Sequence, residues 1–340
     1  MTIDRLVLEE SIAETRAVAF ANDLPVALFT NSPLLAPRLT QGQVLRARLR
    51  ARDETGGAFL EAEAGENLFL KSSPPAEVSL GSALDVQIIA EARAGKAARV
   101  RLWRERYGPP PASPLEAWRA SLPGAEGLDL ETGSPAEIDA AFDEALSSQV
   151  SLPGGGRLQI ARTPALTAVD VDTAGRPRAG KAFAHALTVN REATVETARQ
   201  LALRGIGGLA VIDCIAPITP ETGKQVKAAF LTQFRAISAR KAEALAPSPF
   251  GLMELQLAWG QTPLDELVDG AHFTALTGLR QLEREARARP GDRLVLDLPL
   301  TAYESVKSAL PSLHGALAAR YGARLEVRCG ARGEIEVHVP

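Results

Sequence analysis

The chain has 340 residues, 46% of them hydrophobic and 23% charged, which is typical of a globular protein and excludes a largely disordered one. Its formal net charge of −3 excludes binding of nucleic acid through overall charge, so such a partner needs a local basic surface. The 2 cysteines, Cys214 and Cys329, exclude a disulfide framework and a cysteine-only zinc site. With no export signal and no apolar run of about 18 residues, the sequence predicts a cytoplasmic protein.

The first half of the chain predicts strands followed by helices. Residues 1–40 alternate apolar and polar side chains, as strands do. Residues 41–103 contain short strand-like segments separated by turns with glycine, which predicts a small barrel. The stretch YGPPPASP at 107–114 predicts a linker. Residues 115–147 then predict helices, one of which starts at Ser134 with proline in its first turn.

The second half predicts an α/β unit and then a small α+β domain. RLQIART and LTAVDVD are typical of strands, residues 192–204 of a helix that ends at Gly205, and LAVIDCI of a buried strand. Thr219 and Pro220 predict the start of a long helix, and GLMELQLAW predicts the next strand. After residue 270, two helical segments alternate with the strand-like segments RLVLDLP, RLEVRC and EIEVHV.

Three aspartates are the strongest candidates for chemistry. Asp170 and Asp172 interrupt one strand at a spacing of two, which places them on one face, and Asp213 ends the apolar strand LAVID. If both strands belong to one sheet, the carboxylates converge at its edge, where α/β sheets collect ligands. Oxygen ligands suit Mg²⁺, an ion that supports phosphodiester hydrolysis without histidine. The alternative is that these aspartates only cap loops and helices, and spacing leaves that alternative open.

Four segments of the chain occur in an order known from one family. They are LPGGGRLQIARTPALTAVDVDTAG at 152–175, VNREATVETARQLALRGIGGLAVID at 189–213, FGLMEL at 250–255 and LHGALAARYGARLEVR at 313–328. In this order they resemble the ribonuclease E/G family, most specifically over residues 152–256. The resemblance implies that Asp170 and Asp213 hold Mg²⁺ in a DNase I-like subdomain. Asp172 stands where the family usually has asparagine, and its added charge either tightens the metal site or disturbs it.

The predicted barrel carries a second resemblance. GGAFLEAEAGENLFL at 56–70 resembles the OB-fold RNA-binding insert of the same family, which implies that Phe59 and Phe69 stack on bases and that Lys96 contacts RNA. Such stacking contributes ~1–3 kcal/mol per base, whatever the base. A basic face that follows a phosphate backbone is indicated by the alternating arginines Arg46, Arg48 and Arg50. The alternatives place the two rings in the barrel core and make the arginines a solvated strand face.

The resemblance implies a multi-subdomain α/β and α+β fold. Its units are an RNase H-like subdomain of residues 1–40 and 108–160, an OB-fold module of residues 41–107, a DNase I-like subdomain of residues 161–265 and a small C-terminal α+β domain of residues 266–340.

The chain also departs from the family. The segment between the OB-fold module and residue 152 is too short for the family's 5′-sensor subdomain, which predicts little preference for a 5′-monophosphate. Residues 257–280 lack the paired cysteines that share zinc between subunits, so no structural zinc is expected. The basic stretch that usually follows the FGL-type strand is reduced to LQLAWGQTP, which predicts weaker RNA affinity.

The leading functional prediction is an endoribonuclease that uses Mg²⁺, or Mn²⁺, to hydrolyse phosphodiester bonds in single-stranded RNA. One alternative is a non-catalytic RNA-binding protein that retains the family fold. Another is a DNA nuclease, because no residue visibly recognises a 2′-hydroxyl. The expected partner is single-stranded RNA and not a membrane, and any homodimer would form without a zinc link.

Overall fold

The computed structural model describes residues 2–35, 38–54, 56–93, 95–177, 180–268 and 270–340. The chain begins with three antiparallel strands, Arg5–Glu10 (β1), Thr15–Ala21 (β2) and Leu24–Asn31 (β3). β2 and β3 form a tight hairpin whose two turn residues, Asn22 and Asp23, have φ of 52° and 62°. Asparagine and aspartate tolerate this left-handed backbone, which matches the twist of the flanking strands.

A closed barrel follows, as predicted for residues 41–103. Its strands are Val44–Arg52 (β4), Ala58–Ala62 (β5), Asn67–Leu70 (β6), Ala83–Ala90 (β7) and Ala98–Leu102 (β8). They are paired in the order β4-β5-β6-β8-β7, and β7 closes the barrel on β4. Buried side chains such as Leu49, Leu60, Leu68 and Ile88 fill the interior. A small five-stranded barrel of this kind is consistent with an OB fold.

The segment after the barrel returns to the first sheet. It contains a 3-10 helix at Glu105–Tyr107 and then Pro114–Ala120 (α1), Leu130–Thr132 (β9) and Pro135–Leu146 (α2). Ser113 and Ser134 cap α1 and α2 by accepting a backbone N–H, and each helix has proline in its first turn. This confirms the predicted helix start at Ser134. β9 pairs in parallel with β1, which gives a sheet of order β3-β2-β1-β9.

The α/β unit forms the largest sheet of the described residues. Its elements are Gln149–Ser151 (β10), Arg157–Arg162 (β11), Thr167–Asp172 (β12), Ala182–Leu203 (α3), Gly208–Asp213 (β13), Pro220–Ile237 (α4), Ala242–Ala244 (β14) and Leu252–Leu257 (β15). The strand order is β10-β11-β12-β13-β15-β14. The sheet starts at Gln149, so the predicted boundary between residues 160 and 161 falls inside β11. The helix predicted for residues 192–204 begins earlier, at Ala182.

Among the described residues, helices cover one face of this sheet. Phe230 and Phe234 of α4 and Val189 of α3 pack with Ile212 of β13 and Met253 of β15 in one buried cluster. Residues of the other parity point to the opposite face, which we call the open face. There the strand side chains are largely exposed, including two apolar ones, Leu209 and Leu252.

The C-terminal part has the predicted α+β character. It contains Leu264–Leu267 (α5), Ala271–Ala288 (α6), Leu294–Leu298 (β16), Leu300–Val306 (α7), a 3-10 helix at Lys307–Ala309, Leu310–Tyr321 (α8), Leu325–Cys329 (β17) and Glu336–His338 (β18). β16 lies in the centre of the small sheet, parallel to β17 and antiparallel to β18. No helix in the described ranges is long and apolar enough to cross a membrane.

A buried ion cluster joins the first sheet to α2 and α6. Arg16 of β2 donates to Glu9 of β1 at 2.5 Å and to Asp139 of α2 at 2.7 Å. Arg284 of α6 binds the same two carboxylates, at 2.9 Å and 2.7 Å. Arg16 and Glu9 are buried, so these charges are compensated almost entirely by one another.

A second buried carboxylate holds the barrel against the α/β unit. Glu91, which follows β7, accepts hydrogen bonds from the backbone N–H of Gln41 and from both the N–H and the hydroxyl of Thr262, each at 3.0 Å. Its own backbone N–H donates to the carbonyl of Gly260 at 2.8 Å. Contacts from both sides therefore converge on one side chain, which is 3% exposed.

Candidate active site

Two of the predicted aspartates lie side by side on the open face. β12 and β13 are parallel neighbours, and their register pairs Asp170 with Asp213. Paired residues on adjacent strands, which lie about 4.8 Å apart, point to the same face. Both side chains are exposed. The structure thus brings together the two carboxylates that were predicted to share a metal ion.

Alternating burial explains why the acids face outward. In β12, Val169 and Val171 are buried against the helices while Asp170 between them is exposed. In β13, Ile212 is buried and Asp213 at the strand end is exposed. Cys214 then turns back into the core as predicted, and its burial raises the pKa of the thiol to about 12. That thiol is therefore not a nucleophile at neutral pH.

Two residues that the sequence did not reveal hold the chain after Asp213. Asn190 of α3 is buried, and its side-chain amide makes two hydrogen bonds of 2.9 Å with the backbone N–H and carbonyl of Ile215. Gly251 has φ of 91°, and a Cβ there would lie 2.8 Å from the carbonyl oxygen of Cys214 and 3.6 Å from Oδ1 of Asp213. Only glycine lets this turn approach so closely. The sequence signal for this role was Asn190, a polar residue on the buried face of α3.

The acids belong to a row that crosses four neighbouring strands. Register pairs Gln159 of β11 with Asp170, Asp170 with Asp213, and Asp213 with Leu252 of β15. Phe250, which precedes Gly251 in the turn beside Asp213, is 90% exposed. An apolar side chain of this size in solvent, one residue before the glycine that approaches Asp213, is a candidate contact for a ligand.

Asp172 lies on the same face but has other partners. Its carboxylate accepts a hydrogen bond from the backbone N–H of Ala174 at 2.8 Å and forms an ion pair with Arg157 at 2.8 Å. The Ala174 N–H and then Arg157 hold the pKa of Asp172 below its usual value. Asp172 therefore fits the predicted alternative of an aspartate that caps a turn. Within the described residues, no three acidic, histidine or cysteine side chains converge on one metal position.

The open face around the pair is strongly acidic. Besides the three aspartates, Glu254 of β15 is exposed on it. Arg157 is the one basic residue that β11, β12, β13 and β15 expose there, and it is paired with Asp172. This charge distribution attracts a divalent cation and repels a phosphate backbone when no cation is bound.

The barrel presents the predicted aromatic residues on its outside. Phe59 of β5 and Phe69 of β6 are paired in register, with ring centroids 5.3 Å apart, and Phe59 is 42% exposed. Leu60 and Leu68, of the opposite parity, fill the interior instead. The alternative that the two rings form the barrel core is therefore wrong.

Basic residues lie on the same outer surface. Arg46, Arg48 and Arg50 of β4 are exposed and line a groove of about 450 Å³, together with Glu61 and Glu63. Arg50 is paired with Glu61, and Arg48 donates to the carbonyl of Gly81. Lys96 is exposed in the turn between β7 and β8. The predicted positive charges are thus on the surface, but acidic neighbours partly neutralise them.

The chain is similar to one family profile and to several known ribonucleases. Residues 130–257 match the profile of the Ribonuclease E/G family. Ribonuclease E of Haemophilus influenzae is 38% identical over 119 residues, which are 35% of this chain and 13% of that protein. Ribonuclease E of a Nostoc species is 41% identical over 118 residues, 35% of this chain and 17% of the relative. Ribonuclease G of Salmonella typhimurium is 31% identical over 149 residues, 44% of this chain and 29% of the relative.

The matched parts cover less than a third of these relatives' own lengths. The profile match includes β12 and β13, the strands that carry Asp170 and Asp213. Over residues 130–257, the chain is therefore similar to the ribonuclease E/G family.

Proposed function

We propose that this protein is a Mg²⁺-dependent endoribonuclease that cleaves single-stranded RNA. The observation that carries the proposal is the pairing of Asp170 with Asp213 on an open sheet face, in the family-matched part of the chain. Two adjacent carboxylates suit Mg²⁺, which binds few protein ligands and keeps several waters, and they also suit Mn²⁺. Neither carboxylate is tied down by a hydrogen bond or ion pair within the described ranges, so both remain available to a cation.

The residues of the site have different proposed roles. Asp170 and Asp213 would hold the ion, and Asn190 and Gly251 position the backbone that carries Asp213. The chemistry supplied by Mg²⁺ bound there would be polarisation of the scissile phosphate and a lowered pKa of a water molecule. The exposed ring of Phe250, next to Gly251, would stack on a base near the scissile bond.

In this proposal, the barrel provides most of the contacts that bind RNA. The exposed pair Phe59 and Phe69 offers ring faces to unpaired bases, and the arginines of β4 follow the backbone. Bases are accessible to such rings only where RNA is single-stranded, which is why we propose this substrate.

The second candidate is an RNA-binding protein without catalytic activity. It is favoured by the charge of the open face, where Arg157 is the one basic residue on the four strands and is already paired with Asp172. A surface with so few cations holds a scissile phosphate poorly. In that case the barrel alone would bind RNA.

Cleavage of a labelled single-stranded RNA distinguishes the two candidates. We expect cleavage with Mg²⁺ or Mn²⁺ and none in EDTA, and we expect a DNA oligonucleotide of the same sequence to stay intact. Binding of the RNA without any cleavage at several metal concentrations would establish the non-catalytic candidate. Equal cleavage of RNA and DNA would show that the substrate class is wrong.

We predict that Phe59→Ala weakens RNA binding by ~1–3 kcal/mol, the loss that accompanies one stacking ring. Leu300→Ala serves as the control, because it removes a similarly exposed apolar side chain from the C-terminal domain. Fluorescence anisotropy with a short single-stranded RNA measures both. Equal affinities of the two variants would place the RNA elsewhere on the protein.

We predict that Phe250→Ala lowers kcat/KM for RNA about tenfold and weakens equilibrium binding of RNA by up to about tenfold, because one stacked base is worth ~1–3 kcal/mol. Steady-state cleavage and anisotropy measured on the same oligonucleotide separate these effects. A cleavage rate equal to that of the wild type would exclude a substrate contact by Phe250.

A further inference from the structure

A basic cavity lies where the barrel meets the rest of the protein. It measures about 300 Å³ and is bounded by the barrel, β3, α1, the end of α4 and the segment after β15. Its lining includes Arg99, Arg240 and Lys241 but no acidic residue, and Lys241 forms an exposed ion pair with Glu243 outside the lining. The cavity is separate from the open face, and the proposed catalysis does not use it.

Two buried N–H groups at this cavity have no hydrogen-bond partner in the protein. Trp118 of α1 is 4% exposed, and its indole Nε1–H is unpaired. The Nε–H of Arg99 on β8 is likewise buried and unpaired. Buried donors are almost always paired, because leaving one unpaired costs about 1–3 kcal/mol. Two such donors on one cavity indicate that an acceptor belongs there.

A third group adds uncompensated positive charge. The guanidinium of Arg240 donates to the carbonyls of Leu201 at 2.9 Å and Ile206 at 2.7 Å. It has no carboxylate partner within the described ranges, although its burial lowers its pKa to about 10. At neutral pH it is still charged, so the wall of the cavity carries a half-buried cation that is held by carbonyls and has no counter-ion among the described residues.

We infer that this cavity binds a phosphate group. A phosphate has several acceptor oxygens and up to two negative charges, which suits unpaired N–H donors beside arginine guanidinium groups. The volume admits a phosphate or a mononucleotide but not a folded nucleic acid.

The position of Arg99 suggests how RNA could reach the cavity. Register pairs Phe59 with Phe69, and Phe69 with Arg99, so the three form one row on the outer surface of the barrel. A strand stacked on the two rings could therefore extend its terminal phosphate toward Arg99. This route rests on the proposed RNA binding, whereas uptake of free phosphate or of a nucleotide does not.

Isothermal titration calorimetry of the full chain with inorganic phosphate and with AMP tests the site itself. We expect saturable binding by the wild type. Arg99→Gln should weaken it about tenfold or more, because a hydrogen bond to a charged group contributes about 1.5–3 kcal/mol and about 1.4 kcal/mol is tenfold. Trp118→Phe removes the Nε1–H together with part of the ring and should weaken binding a fewfold.

Arg101→Gln is the matched control, since Arg101 lies on the same strand and face as Arg99, is exposed, and does not line the cavity. Unchanged thermal melting of the three variants shows that each is folded. The proposal is overturned if the wild type binds neither ligand at millimolar concentration, or if Arg99→Gln binds as Arg101→Gln does.

RNA with a 5′-phosphate and the same RNA with a 5′-hydroxyl identify the source of the phosphate. A preference for the phosphorylated end that Arg99→Gln abolishes would assign the cavity to RNA ends, against the sequence-based expectation of little preference. Equal affinities, together with calorimetric binding of phosphate or AMP, would assign it to a free ligand. The calorimetric result holds even if the protein never cleaves RNA.

Discussion

Asp213→Asn is expected to reduce RNA cleavage about a hundredfold or more while RNA binding changes little. Asp213 and Asp170 are adjacent on the open face, so removing one charge halves the anionic ligand set of the proposed ion. A bound metal contributes several kcal/mol to the stability of the charged transition state, and about 1.4 kcal/mol is tenfold in rate. Binding depends on the barrel and should be unaffected, or slightly stronger without metal, because a charge that repels phosphate is gone. Single-turnover cleavage and anisotropy with the same RNA measure the two effects.

Two control variants make this experiment specific. Glu254→Gln removes an acidic charge from the same face, in the row next to the pair, and should leave cleavage within about threefold, as expected for an exposed charge without a metal contact. Asp172→Asn tests the third predicted ligand. Because Asp172 is occupied by Arg157 and the Ala174 N–H, we expect only a small loss of activity. If Asp172→Asn is as damaging as Asp213→Asn, all three aspartates serve the metal, and if Asp213→Asn retains full activity, the acidic pair is not the catalytic site.

Arg16→Met is expected to cost about 3–5 kcal/mol of unfolding free energy, the usual effect of removing one partner from a buried ion pair. Arg16 bridges Glu9 and Asp139, and after its loss Glu9 stays buried with only Arg284 to balance it. Lys307→Met is the control, because it breaks an exposed pair with Glu304 that should contribute about 0–1 kcal/mol. Urea titrations of the three proteins give the comparison, and equal midpoints for both variants would refute a structural role for the cluster.

The same cluster makes the expected loss depend on pH. Burial raises the pKa of Glu9, but Arg16 and Arg284 outweigh burial and hold this pKa below its usual value. The pKa of Asp139 is lowered as well, because the same two arginines outweigh its burial. Carboxylates whose pKa is lower in the folded state stabilise it above their unfolded pKa values of about 3.9–4.3, and this contribution disappears as pH falls through the folded values. The difference in unfolding free energy between wild type and Arg16→Met should therefore be largest at pH 7 and should decrease below about pH 4. A difference that stays constant from pH 7 to pH 3 would mean that packing, not charge, explains it.

Periodicity was sufficient to predict most of the fold. Alternation in residues 41–103 predicts the barrel, and the apolar run before Asp213 predicts the buried strand. The start of α3 at Ala182 was missed because Lys181 provides no side-chain cap and the first turn is mostly exposed. Membership of β10 in the large sheet was missed because three residues carry no pattern, and their pairing with β11 is decided by tertiary contacts.

The candidate site was only partly predictable for a similar reason. A strand-end aspartate is visible in a sequence, but the register that sets Asp170 beside Asp213 is a property of the folded sheet. The outward position of Phe59 followed from parity once the interior residues were known. Arg99 and Trp118 carry no local signal at all, because they meet at a cavity formed by segments that are distant along the chain.

The hydrogen bonds to Glu91 constrain any RNA that contacts both the barrel and the acidic pair. Since contacts from Gln41, Gly260 and Thr262 converge on this one buried residue, the barrel cannot swing freely relative to the acidic pair. Because the stacking rings of the barrel and the acidic pair lie at a fixed separation, this distance sets how many nucleotides lie between the stacked bases and the cleaved bond. Under the proposed function, the fragments should end at a constant offset from the bound bases, and the joint between barrel and sheet would define the cleavage position.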